Sequence, residues 1–224
     1  MTTRDWFEID DPDDEFELTD AEREFVSGLN GYCRGWAPAD VFGEVGRPDG
    51  WGALLASVAL SDRAEPRLHL VDLGVHLVGD RVQGDRLHNQ LFQLPDAPSA
   101  WALDATGPTD RLARLAADWF RTVLDKPIVL YVWLHKDYAY AARYAFADSG
   151  ETICQSYART VAPPGQAEEL IAAGHVRGRD WVQTVGLPTP SLYLHIRGDL
   201  GKAGDMAGVP AGGKRGPLPR PWYE

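Results

Sequence analysis

Residues 128–157 read IVLYVWLHKDYAYAARYAFADSGETICQSY and carry the clearest fold signal in the chain. Ile128–Leu134 is a dense β-branched and aromatic run, which reads as a strand. His135–Tyr138 forms a tight turn centred on Lys136-Asp137, and Ala139–Ala147 runs back. Asp148-Ser149-Gly150-Glu151 is a second turn, with Gly150 able to take a positive φ. Thr152–Tyr157 is the third strand. The segment is therefore expected to be an antiparallel β-meander.

A two-residue turn at Lys136-Asp137 pairs Trp133 with Tyr140, Tyr131 with Ala142 and Val129 with Tyr144. Side chains alternate sides along a strand. One face then gathers Tyr131, Trp133, His135, Tyr138, Tyr140, Tyr144 and Phe146. The other holds Ile128, Leu130, Val132 and Leu134 beside Ala139, Ala141, Ala145 and Cys154. Arg143 falls among the alanines, near Leu130 and Ser156, where a buried guanidinium needs a carboxylate such as Asp118 or Asp125.

The ring-bearing face has two readings. It is either core, with each hydroxyl reaching a carbonyl or water, or the wall of a site that stacks a planar ligand or a partner's side chains. On the second reading Tyr131, Trp133, His135, Tyr138, Tyr140 and Tyr144 are the ligand- or partner-binding residues.

Before this segment lies the best helical pattern, about 110–125. Leu112, Leu115, Ala116, Trp119, Phe120, Val123 and Leu124 recur at helical spacing, Thr109 can cap it and Pro127 stops it. The small alanines of the meander invite this helix onto their face. Further back, apolar runs near 52–60, 67–78 and 80–93 read as strands, the middle one broken at Gly74. Thr19 with Glu22 is a capping box that opens a helix over about 20–34, with Cys33 on its apolar face. After the meander, Pro163-Pro164 precedes a short helix at about 165–173, and Ser191–Arg197 reads as a last strand.

The expected fold is α+β: antiparallel meander sheets packed on one long amphipathic helix, with an N-terminal helix and a short C-terminal helix. Residues 1–17 are expected to be an acidic flexible arm, 18–197 a single domain, and 198–224 a flexible tail. That last segment holds seven Gly and four Pro and ends in Trp222-Tyr223, two rings that form a possible anchor.

Charge is uneven. The first 24 residues carry −9 of the chain's −11, leaving the rest near neutral at −2. Such an acidic start repels phosphate backbones, which disfavours direct nucleic-acid binding, and it is suited to a basic protein partner. It is also the wrong start for a secretory signal. No apolar run is long enough to span a bilayer. Cys33 and Cys154 are the only cysteines and lie outside any ligand spacing. These features predict a reduced, cytoplasmic setting. Arginine outnumbers lysine 18 to 4, the bias of a GC-rich bacterial genome.

His69, Asp72, His76 and His88 were weighed as metal ligands, but their strand parities diverge, so no metal and no cofactor is expected. Gly208–Arg215 matches the GxxxxGK part of a phosphate loop, yet Arg215 stands where Ser or Thr should be. Pro217, Pro219 and Pro221 then forbid the helix such a loop must open. No hydrolase, metalloprotease or paired-cysteine motif is present. The expected function is a binding protein, immunity- or antitoxin-like in one form, using the acidic arm and the aromatic sheet face. The alternative is an enzyme on a small planar substrate, its pocket lined by the meander's rings, with His135 or His76 as acid–base groups.

Overall fold

The computed structural model describes residues 5–9, 17–48, 52–88, 91–179, 181–206 and 208–212, apart from the side chains of residues 66 and 67. It is α+β, with mostly antiparallel sheets and three α-helices among the described residues. Its contacts cluster in two compact units, Met1–Leu124 and Asp125–Glu224, within the span read from sequence as one domain.

The first unit is a six-stranded sheet with two helices. Its strands are β1 (Phe7–Ile9), β2 (Gly43–Gly46), β3 (Leu54–Asp62), β4 (Glu65–Val78), β5 (Arg81–Leu87) and β6 (Leu103–Thr106), adjacent in that order. All neighbours are antiparallel except β1 and β2, which run parallel, so the sheet is mixed. Helix α1 (Asp20–Cys33) packs on α2 (Thr109–Leu124), which also touches β5 and β6. Within this unit the partners of α2 are α1, β5 and β6. Its capping differs from the expected one. Thr109 is already helical, and the Leu112 N–H donates to the carbonyl of Pro108.

The capping box at the start of α1 is present. The Thr19 hydroxyl accepts from the Glu22 N–H, and the Glu22 carboxylate accepts from the Thr19 N–H at 2.8 Å. Glu22 also meets Arg47 at 2.6 Å. Burial works to raise the Glu22 pKa, but these hydrogen bonds from Thr19 and Arg47 outweigh it and hold the carboxyl below its usual value. Cys33 is fully buried and desolvation pushes its thiol up to about 12, as befits a core residue.

The acidic arm expected over 1–17 is revised at residues 5–9. Residues 7–9 form a sheet strand, anchored by Phe7, which is 2% exposed. Its ring packs 5.1 Å from that of Phe120 and fits only because residue 43 is glycine; a Cβ there would come within 2.6 Å of the Phe7 ring. On its other edge Phe7 meets a side chain instead of a strand. The Asn30 carboxamide accepts from the Phe7 N–H at 2.8 Å and donates to the Phe7 carbonyl at 3.0 Å, in a buried setting. One amide thus completes both backbone bonds that a further strand would supply. The remainder of the acidic run, residues 10–16, lies outside the described residues.

Strand β4 does not break at Gly74. It runs unbroken because a Cβ there would lie 2.6 Å from Leu87 and 3.0 Å from the Ala56 carbonyl, so the glycine serves close packing inside the sheet.

The second unit is built on a four-stranded antiparallel sheet. Strands β7 (Ile128–His135), β8 (Tyr138–Phe146) and β9 (Thr152–Tyr157) follow in chain order, and β12 (Leu192–Arg197) returns beside β7. Between β9 and β12 lie α3 (Gln166–Ala172), the small β10 (Val176–Arg177) and β11 (Trp181–Val182) pair, and a 3-10 turn at Thr184–Gly186. The described part of the expected tail is held against this unit. Tyr193 N–H donates to Pro210, Gly212 N–H donates to Tyr193, and Gly204 N–H donates to Ala147. Lys202 pairs with Asp125. Residues 213–215 of the phosphate-loop match, and the Trp222-Tyr223 end, lie outside the described residues.

Replacing Asn30 with alanine strands the N–H and carbonyl of Phe7 in the interior. Urea unfolding of Asn30→Ala is expected to show a loss of about 2–3 kcal/mol, the cost of two buried backbone groups left unpaired.

Candidate functional site

The turn at the head of the predicted site is where the sequence placed it. Lys136 and Asp137 take φ of 49° and 65°, and His135 pairs with Tyr138. The register changes two residues further on. Leu134 faces Ala139, but Trp133 faces Ala141, so Tyr140 is an extra residue on β8. Such a β-bulge sets two residues against one and moves every later side chain of its strand to the other face.

This corrects the predicted face. Tyr131, Trp133, His135, Tyr138 and Tyr140 share one side. Tyr144 and Phe146 do not; they pair with Leu130 and Ile128 on the opposite side and are buried there. Ala141 and Ala145 move the other way, to the side of Trp133 and Val129. Arg143 moves with them. Instead of lying among alanines against a carboxylate, its guanidinium carbon sits 5.3 Å from the Tyr131 ring centre and 5.5 Å from that of Trp133. Asp125, one of its expected partners, meets Lys202.

The upper part of this side is core. Trp133, Tyr140 and Ala141 form a buried cluster packed by Tyr157, Val161, Ala162 and Leu187. The Trp133 indole donates to the Pro188 carbonyl at 2.6 Å. Gln166 of α3 joins the hydroxyls of Tyr140 and Tyr157, each at 3.3 Å, and desolvation raises both phenols above their ordinary pKa. The turn end is open. His135, Lys136 and Tyr138, with Thr160, Val161, Ala162 and Pro164, line a shallow cleft of about 310 Å³.

A larger concavity lies in the first unit, and sequence reasoning missed it. A groove of about 720 Å³ runs beside β1 and β2. Among the described residues its ionisable lining is Asp5, Glu8, Glu44 and Arg34, three carboxylates to one guanidinium. Trp6, Val41 and Phe42 give it an apolar wall, with Phe42 66% exposed. The Trp6 indole is fixed by donating to the Val41 carbonyl at 2.6 Å, and Arg34 lies 3.8 Å from Asp5. The alternation of Trp6, Phe7 and Glu8 was the available signal, masked by the acids around it.

The histidines weighed as metal ligands are held separately. His69 meets Asp72 at 3.0 Å, whereas His76 is 7% exposed and bonds the Phe92 carbonyl at 2.8 Å. No group of three or more His, Cys, Asp or Glu among the described residues is arranged to hold a metal ion. No helix among them is long and apolar enough to cross a membrane. No family model matches the chain, and comparison with curated proteins and with solved structures gives no match.

Desolvation lowers the His76 pKa, with the hydrogen bond to Phe92 acting against it. The folded protein keeps this ring neutral where the unfolded chain, with a pKa near 6.5, takes up a proton. Stability contributed by the neutral ring is therefore present above that value and declines as the pH falls below it. The melting temperature is expected to drop between neutral pH and about pH 5, and His76→Gln should flatten part of that drop.

Proposed function

We propose that this chain is a non-enzymatic binding protein that receives a basic segment of a protein partner in the groove beside β1 and β2. The observation that carries this reading is the groove itself, with carboxylates at its rim and Trp6 and the exposed Phe42 along its wall. A lysine or arginine side chain has an apolar stem and a cationic head, and a wall of rings bordered by carboxylates matches both. In sequence the groove adjoins Asp10, Asp11, Asp13, Asp14 and Glu15, which extend the same charge and favour rapid capture of a cationic partner. An immunity- or antitoxin-like role, in which the acidic surface covers a basic site on a partner, is one concrete form. The aromatic side of the second sheet supports the alternative enzyme less well, since Trp133 and Tyr140 serve the core and Tyr144 faces away.

The test leaves Phe7 and β1 in place, because deleting the segment removes a core residue. An arginine-rich peptide titrated against the whole chain is expected to change the fluorescence of Trp6, with affinity falling as salt rises. Glu8→Gln with Glu44→Gln should weaken binding about fivefold at low salt, the worth of two exposed charge pairs, and reduce the salt slope. Binding that is equally tight in the double variant, or independent of salt, overturns the reading.

A further inference from the structure

The bulge at Tyr140 aligns four side chains across the second sheet. Tyr193 of β12 pairs with Tyr131 of β7, Tyr131 with Arg143 of β8, and Arg143 with Gln155 of β9. Residues directly opposed in an antiparallel sheet stand on one face about 5 Å apart. The four therefore form a continuous row, each partly buried, below the sealed cluster of Trp133 and Tyr140.

Each member of the row carries a hydrogen-bond donor, and one of them, on Arg143, has no acceptor. The Arg143 Nε is enclosed and has no hydrogen-bond partner, and no carboxylate among the described residues pairs with the guanidinium. The rings of Tyr131 and Trp133 hold the cation by its face. They leave the in-plane Nε–H, part of a fork whose geometry matches an oxyanion, unsatisfied. Gln155 is fixed in one orientation, because its Oε1 accepts from both the Thr184 N–H at 2.9 Å and the Thr184 hydroxyl at 2.6 Å, and Thr184 is 1% exposed. The other end of that amide is then the NH₂, on the residue paired with Arg143. The phenols of Tyr131 and Tyr193 extend the row on the far side.

We propose that this row, Tyr193–Tyr131–Arg143–Gln155, is a binding site for the oxyanion of a small ligand, a carboxylate or a phosphate. The guanidinium supplies charge and a bidentate fork, Gln155 supplies two further N–H groups, and the flanking rings hold the fork before the ligand arrives. The site is independent of the groove in the first unit and opposite to it in charge.

The experiment follows the side-chain Nε–H resonance of Arg143 in the ¹⁵N-labelled whole chain. Benzoate, inorganic phosphate and phenyl phosphate are titrated separately, against chloride at matched ionic strength. A saturable shift with at least one oxyanion and none with chloride is expected. The anion that acts tells carboxylate from phosphate, and a gain with phenyl phosphate over phosphate shows that the ligand carries a ring. The same anion should raise the melting temperature of the wild type, and Arg143→Met, which keeps the packing of the stem, should abolish that rise. Shifts no larger with the three oxyanions than with chloride overturn the proposal, as does an undiminished rise in Arg143→Met. Should that variant fail to fold, the wild-type titration decides alone.

Discussion

In β8 two residues, Tyr140 and Ala141, stand opposite Trp133, and the character of both faces of the second sheet follows from that surplus. Without it, Tyr144 and Phe146 would join Trp133 on one side, and Arg143 would lie among Leu130 and the alanines. With it, Tyr144 and Phe146 enter the core beside Leu130 and Ile128, and the guanidinium reaches the rings of Tyr131 and Trp133. A charge that would need a buried carboxylate on one face thereby gains two aromatic surfaces on the other. The bulge also lets Tyr140 and Ala141 both pack against Trp133, which closes that end of the sheet under Val161, Ala162 and Leu187. A bulge that re-aims side chains in this way belongs to the packing of the sheet and is no defect in it.

A comparable constraint organises the first unit. A three-residue strand makes few backbone bonds, and β1 lies at the edge of its sheet. It is held by the buried ring of Phe7, by the glycine at 43 that admits the ring, and by the Asn30 amide on its outer edge. Asn30 lies on α1, so the strand and the helix fix each other: the helix closes the strand's hydrogen bonds, and the strand occupies a polar side chain buried on the helix. The groove depends on that lock, because Glu8 lies in this short strand and Asp5 and Trp6 lead into it.

Local chemistry was legible in the sequence where a short pattern has one solution. The Thr19–Glu22 capping box, the Lys136-Asp137 turn and the left-handed Gly150 needed only neighbours in sequence. Face assignments were less secure because they sum over a whole strand, and one extra residue inverts everything beyond it. In β8 the alternation of Tyr138, Tyr140, Tyr144 and Phe146 continues across the bulge and hides it. The only mark is the doublet Ala141-Ala142, two small residues where a regular strand would alternate. Strand β1 was hidden for another reason. It is only three residues long, flanked by acids, and its pairing partner lies 36 residues away. The ring cluster was thus correctly located as a feature of the β7–β8 pair, but its division between faces, and the removal of Arg143 from the alanines, required the register.

Three ionisable groups set back from water show how differently the chain accommodates charge. Glu22 keeps its charge because Thr19 and Arg47 surround it with donors. His76 gives its charge up to desolvation, against the pull of the Phe92 carbonyl, to which the neutral ring can still donate. Arg143 has neither course open. Desolvation lowers its pKa, yet a guanidinium does not deprotonate in a protein, and rings accept its charge but not its in-plane hydrogen bonds. Glu22 and His76 are thus complete within the fold. Arg143 is electrostatically held and hydrogen-bond deficient, and the same row keeps Gln155 turned so that it offers further donors and no acceptor. The deficiency at the Arg143 Nε is that of a donor, and the Gln155 NH₂ in the same row is a donor too. A set of donors can be completed by a single anion, whereas a mixed set would be completed by water or by its own members.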